Sequence, residues 1–196
     1  ILRAMAKLYF SYAAMNAGKS TALMQVAHNY EERGMRTYLM TAAEDDRSGL
    51  GFIGSKIGIK RGVETFTEAT DLYAKIEQEH ADAPLSCVLI DNAHWLTPSQ
   101  VEQLSAIVDE LRVPVLCYGL RTDFRGDLFP GSARLLAWAD ELREIRTVCH
   151  CGRKAIMTVR YEADGQPAQT GPQYLVGDTA TYESLCRFHF KETLRS

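Results

Sequence analysis

Short apolar runs alternate with segments of helical spacing over the first two thirds of the chain. Residues 7–10 read as a strand, a glycine-containing turn follows, and apolar spacing predicts a helix over about 20–33, ended by Gly34. A second strand is expected at 36–41. Residues 43–62 are polar and glycine-rich with little to bury, which predicts a mobile loop. Helical spacing returns over 70–80, residues 87–90 read as a buried strand, Thr97-Pro98 opens a helix reaching 111, and 115–119 form another buried strand. Strands that are apolar throughout and separated by helices need cover on both faces, so the pattern predicts an α/β fold with a doubly wound parallel sheet. Past Trp138 it breaks into short segments with cysteines and a Gly/Pro-containing loop between Glu162 and Pro172. A boundary is expected near residue 145, giving an α/β domain over 5–145 and a small module over 146–196.

Composition changes this picture little. A chain of 196 residues suffices for one full core and an appended module too small to build a large core alone. Hydrophobic residues at 46% and charged residues at 24% are ordinary for a globular chain, and a formal charge of −3 gives no general attraction to a polyanion, so no nucleic acid partner is expected. No apolar stretch approaches the ~18 residues that would span a bilayer, and the first residues lack a signal-peptide core. No membrane association and a cytoplasmic location are therefore expected.

The segment after the first strand carries the first chemistry. Met15, Asn16, Ala17, Gly18, Lys19, Ser20 and Thr21 close a P-loop pattern whose first glycine is Ala13, with a strand before and a helix after. Gly18 lets the backbone wrap phosphates, successive amides and the helix N-terminus donate to them, Lys19 adds positive charge, and the Ser20 hydroxyl can ligate magnesium. ATP with Mg²⁺ is the expected cofactor pair. Asp91 ends the strand at 87–90, where a buried charge is costly unless a cation or hydrogen bonds receive it, so it is the candidate acidic partner of the metal.

Three of the five cysteines fall in the last quarter of the chain. Cys149-His150-Cys151 and, thirty-five residues after Cys151, Cys186 with His189 form two short ligand pairs around a loop, a spacing suited to structural Zn²⁺. Cys149, Cys151, Cys186 and His189 complete a tetrahedral set, with His150 as an alternative ligand. Cys87 and Cys117 lie inside apolar strands and read as core.

With both motifs placed, the chain resembles the type II thymidine kinases, the cellular family distinct from the larger viral kinases, from Lys7 to about Glu192. The carriers are the run from Met15 to Thr21, Asp45-Asp46-Arg47, the run from Cys117 to Gly126, Cys149 to Ala155, and Tyr182 to His189. The resemblance implies a P-loop, RecA-like sheet with helices on both faces and a zinc-binding module with a lasso loop. It implies transfer of the ATP γ-phosphoryl to the 5′-hydroxyl of thymidine or deoxyuridine, a homotetramer, and dTTP as a candidate feedback inhibitor. Carried over by position, Lys19 and Ser20 hold phosphates and magnesium, Asp91 supports the metal, and Arg47 is similar to the family's active-site arginine. Met15, Trp95, Leu120, Phe124 and Phe129 match the thymine pocket, and Thr158, Leu175, Gly177 and Tyr182 match the positions that hydrogen-bond the base.

The chain also departs from the family. A glutamate that accepts the 5′-hydroxyl proton usually follows the Walker B aspartate, and here that position is Asn92. An amide is no base, and a positioned general base contributes about 10²- to 10⁴-fold in rate, so impaired catalysis is expected. A catalytically silent nucleotide-binding protein on the same fold is the alternative. His94 replaces the usual glutamine and is expected to be exposed and idle rather than a substitute base. Asp178 replaces the second glycine of the lasso's usual pair, which restricts the backbone there.

Overall fold

The computed structural model describes residues 6–45, 49–54, 58–173 and 181–195. The chain forms β1 (Leu8–Ala13), α1 (Lys19–Glu31), β2 (Thr37–Ala42), β3 (Phe52–Gly54), β4 (Lys60–Gly62), β5 (Glu64–Phe66), α2 (Leu72–Asp82) and β6 (Cys87–Asp91). A 3₁₀ turn (Ala93–Trp95), α3 (Pro98–Ala106), a π turn (Ile107–Leu111), β7 (Val115–Leu120), α4 (Pro130–Trp138) and β8 (Glu141–Glu144) follow. The last elements are β9 (Thr147–Val148), β10 (Lys154–Ala155), β11 (Met157–Tyr161), β12 (Thr181–Leu185) and α5 (Arg187–Thr193).

Six strands make one sheet in the order β5-β2-β6-β7-β1-β8, every adjacent pair parallel. Successive side chains of a strand point to opposite faces, and both faces are covered here. Val88, Ile90, Val115 and Cys117 pack with Ile76, Val101, Leu104 and Leu135 of α2, α3 and α4. On the other face Cys87, Leu89, Leu116 and Tyr118 pack with Leu23, Met24 and Ala27 of α1. Cys87 and Cys117 are buried core residues, and burial pushes the Cys87 thiol up to about 12, which makes it inert.

Residues 43–62, expected to be a mobile loop, instead contain a β-hairpin. β3 and β4 pair antiparallel, and Ile53 is buried against the α1 face of the sheet. Ile53 is the one buried apolar side chain among the described residues of this stretch, too few to produce a period, which is why the sequence pattern hides the hairpin. The helix entered at Thr97 starts with a complete capping box between Thr97 and Gln100 and finishes as the π turn. After β8 the strands form small separate antiparallel pairs, β9 with β10 and β11 with β12, over a minor core of Ala155, Val159, Leu185 and Phe190.

Candidate active site

The phosphate loop lies where β1 turns into α1, at the carboxyl edge of the parallel sheet, where α/β proteins bind ligands. Asn16 and Gly18 both have positive φ, 59° and 84°, so consecutive amides turn inward before Lys19 begins the helix. Ala22 N–H donates to the Gly18 carbonyl at 3.0 Å, so Ser20 and Thr21 sit in the first helical turn. Lys19 Nζ donates to the Ala14 carbonyl at 3.4 Å, folding its charge back over Met15, Asn16 and Ala17.

Asp91 ends β6 beside this loop. Its Oδ2 accepts from the Ser20 hydroxyl at 2.8 Å and its Oδ1 from the Asn92 N–H at 3.0 Å. Burial holds the Asp91 carboxyl above the usual aspartate range, opposed by the Ser20 and Asn92 hydrogen bonds and by the charge of Lys19, with Asp45 adding to the rise. A buried carboxylate met by neutral donors is one that a divalent cation would relieve, so Ser20 and Asp91 fit a magnesium site.

Asn92 follows in the left-handed conformation, φ 53° and ψ 36°, a region that asparagine tolerates better than most residues. Its Nδ2 donates to Asp45 Oδ2 at 2.7 Å and to Thr41 Oγ1 at 3.2 Å. His94 is not exposed as expected: it is 3% exposed, its ring meets Phe129 edge-on at 4.7 Å, and Nδ1 accepts from the Leu120 N–H at 3.3 Å. That hydrogen bond and the Phe129 contact hold the ring in place beside the apolar cluster.

Met15, Leu120 and Phe129 form one buried apolar cluster with Trp95 and Tyr182 against it. Phe124 is buried too, but packs under the Arg160 guanidinium, whose carbon is 3.9 Å from the ring centroid. The module is tied directly to the phosphate loop. Met15 N–H donates to Thr158 Oγ1 at 3.2 Å, Ser184 Oγ donates to the Met15 carbonyl, and Asn16 Nδ2 donates to the Tyr182 carbonyl at 3.2 Å. Arg47, Leu175 and Gly177, with Asp178, lie outside the described residues.

Sequence reasoning missed two buried groups. Arg160, almost fully buried, donates to the Pro172 and Thr170 carbonyls at 2.6 and 3.0 Å and so fastens the segment leading to residue 173. Asp123 accepts from the Arg125 and Asp127 amides, both at 2.9 Å, from the Arg125 guanidinium, and from Gln173 Nε2 at 3.2 Å. No local sequence pattern distinguishes either from a surface charge.

Cys149, Cys151, Cys186 and His189 bring their ligand atoms within 4.8 Å of one another. Cys149 Sγ and Cys186 Sγ lie 3.3 and 3.5 Å from His189 Nδ1, and Cys151 Sγ lies 3.9 Å from Cys186 Sγ. Around tetrahedral zinc, sulfurs stand about 3.8 Å apart, so the group could hold the metal. His150 stacks on His189 and faces Glu183 at 3.5 Å, outside the four.

A family model described as thymidine kinase matches residues 6–190. A thymidine kinase of Jannaschia sp. (strain CCS1) is 58% identical over 190 residues, covering 97% of each chain. One of Ruegeria pomeroyi is 56% identical over 96% of this chain and 95% of its own. One of Yersinia pseudotuberculosis is 52% identical over 98% of both.

Proposed function

Since this chain belongs to the thymidine kinase family, we propose that it transfers the γ-phosphoryl of ATP to the 5′-hydroxyl of thymidine or deoxyuridine, at a rate held down by Asn92. The carrying observation is that Met15 is both a member of the phosphate loop and a wall of the apolar cluster with Leu120 and Phe129. A flat base stacked in that cluster would have its sugar beside the loop, which is the positioning that phosphoryl transfer requires.

In this reading, the loop amides and Lys19 orient the triphosphate, and Ser20 with Asp91 would hold magnesium. The metal, when bound, would neutralise charge on the phosphate oxygens. Trp95, Leu120, Phe124 and Phe129 exclude water and stack on the base, while Thr158, Leu175, Gly177 and Tyr182 read its polar edge. Arg47 adds positive charge to the transferring group. Cys149, Cys151, Cys186 and His189 hold Zn²⁺, which fixes the base-reading module. The same reading carries a homotetramer, feedback inhibition by dTTP, and nucleotide salvage in the cytoplasm.

Transfer from labelled ATP to thymidine tests it, comparing this chain with Asn92→Glu and His94→Ala. Slow transfer here, a rise of at least about 10²-fold in Asn92→Glu and no loss of base catalysis in His94→Ala are expected. Asn92 also supports the competing reading of a silent nucleotide-binding protein. Tight ATP binding with no transfer, even with the glutamate present, would establish that reading instead.

A further inference from the structure

A glutamate at position 92 would extend its carboxylate one methylene, about 1.5 Å, beyond the position of the Asn92 amide. A carboxylate already stands next to that place. Asp45 Oδ2 is 2.7 Å from Asn92 Nδ2, and the other Nδ2 hydrogen is directed to Thr41 Oγ1 at 3.2 Å. We propose that Asp45 is the general base of phosphoryl transfer in this chain, held by the Asn92 amide in place of the missing glutamate.

The inference rests on the thymidine kinase reading above and explains where its remaining activity comes from. Asp45 reaches the site through the sheet itself. β2 pairs with β6 so that Thr41 lies opposite Asp91, and the Asp45 N–H turns back to the Ala42 carbonyl at 3.2 Å just past the end of β2. A neutral amide is a suitable clamp, because it orients the carboxylate without supplying an acidic proton that would quench it.

In the step itself, the 5′-hydroxyl proton passes to an Asp45 carboxylate oxygen as the hydroxyl oxygen bonds to the γ-phosphorus. The bond from that phosphorus to the β–γ bridging oxygen breaks, and its electron pair leaves with ADP. Glu44 is the rival carboxylate, with Oε2 buried and without a hydrogen-bond partner among the described residues. Both hydrogens of the Asn92 amide are, however, directed at Thr41 and Asp45.

The experiment is steady-state thymidine phosphorylation with magnesium ATP by the full chain, Asp45→Asn, Asn92→Glu, the double variant and Glu44→Gln. Asp45→Asn keeps the size of the side chain and an oxygen for Asn92 to donate to, while removing the carboxylate's basicity and charge. A fall of at least about 10²-fold in kcat is expected there, with the KM for ATP little changed. The double variant should recover to within about tenfold of Asn92→Glu, because the glutamate supplies the base again, and Glu44→Gln should match the parent chain. An unchanged Asp45→Asn, or the loss appearing in Glu44→Gln instead, overturns the proposal. So does a double variant as slow as Asp45→Asn while Asn92→Glu is active, since Asp45 would then be needed for something other than the proton. No transfer in any variant, Asn92→Glu included, would overturn the thymidine kinase reading and this inference with it.

Discussion

Asp91 is the residue on which folding and chemistry pull in opposite directions. Burial holds its carboxyl above the usual aspartate range, with Ser20, the Asn92 amide and Lys19 only partly offsetting the rise. The folded chain therefore binds that proton more tightly than the unfolded chain does. Stability falls as the pH rises from the ordinary aspartate range through the raised value, and it stays reduced above it. Carrying the charge on Asp91 in the metal-free chain is thus a net cost, and Asp91→Asn removes it. We expect Asp91→Asn to melt a few degrees higher without magnesium, and to lose the stabilisation that magnesium ATP gives the parent chain. Thermal melts between pH 5 and 8 check this. A lower melting point at neutral pH would show that the hydrogen bonds from Ser20 and Asn92 outweigh burial. Asn92 carries a related compromise. Its left-handed backbone suits asparagine, so Asn92→Glu should gain rate while losing about 1 kcal/mol of stability, read as a lower denaturant midpoint.

α4 packs tightly on the 3₁₀ turn, and the site depends on how they meet. A Cβ added at Gly131 would stand 2.6 Å from the Leu96 carbonyl oxygen and 2.7 Å from that of Ala93, both backbone atoms that cannot move aside cheaply. Phe129 immediately precedes α4, and Trp95 ends the turn, so the two walls of the apolar cluster are set by this one contact. Ser132 ties the same helix to β7 by donating to the Leu120 carbonyl at 2.5 Å. Gly131→Ala should cost about 1–3 kcal/mol through overpacking and raise the KM for thymidine several-fold, with the KM for ATP nearly unchanged. An unaltered thymidine KM would mean that the elements can separate without disturbing the cluster.

Across the whole molecule, what the sequence reveals depends on how far apart the cooperating residues lie. The core of the parallel sheet is legible because β6 and β7 are buried on both faces and read as unbroken apolar runs. β8 is not legible: Glu141, Arg143 and Glu144 suit an edge strand paired only with β1, and an edge needs no apolar run. The phosphate loop and the candidate zinc ligands announce themselves because the loop is one short run and the ligands are two short pairs. The bonds from Met15 to Thr158 and Ser184 join residues 143 and 169 positions apart, and no local pattern foretells them. Those bonds couple the two ends of the chain, and a zinc ion held by the Cys149, Cys151, Cys186 and His189 group would hold one end in place. The minor core of Ala155, Val159, Leu185 and Phe190 is too small to stand alone, so the Cys149, Cys151, Cys186 and His189 group should supply much of its folding energy. Lys19, Ser20 and Asp91, by contrast, are fixed by the main sheet. Purified protein should contain about one zinc per chain. Stripping it and then restoring magnesium should abolish the rise in melting temperature caused by thymidine, while most of the rise caused by ATP remains. Survival of the thymidine shift in zinc-free protein would show that the Met15 contacts hold the module without the metal, and loss of both shifts would show that the phosphate loop itself depends on the module.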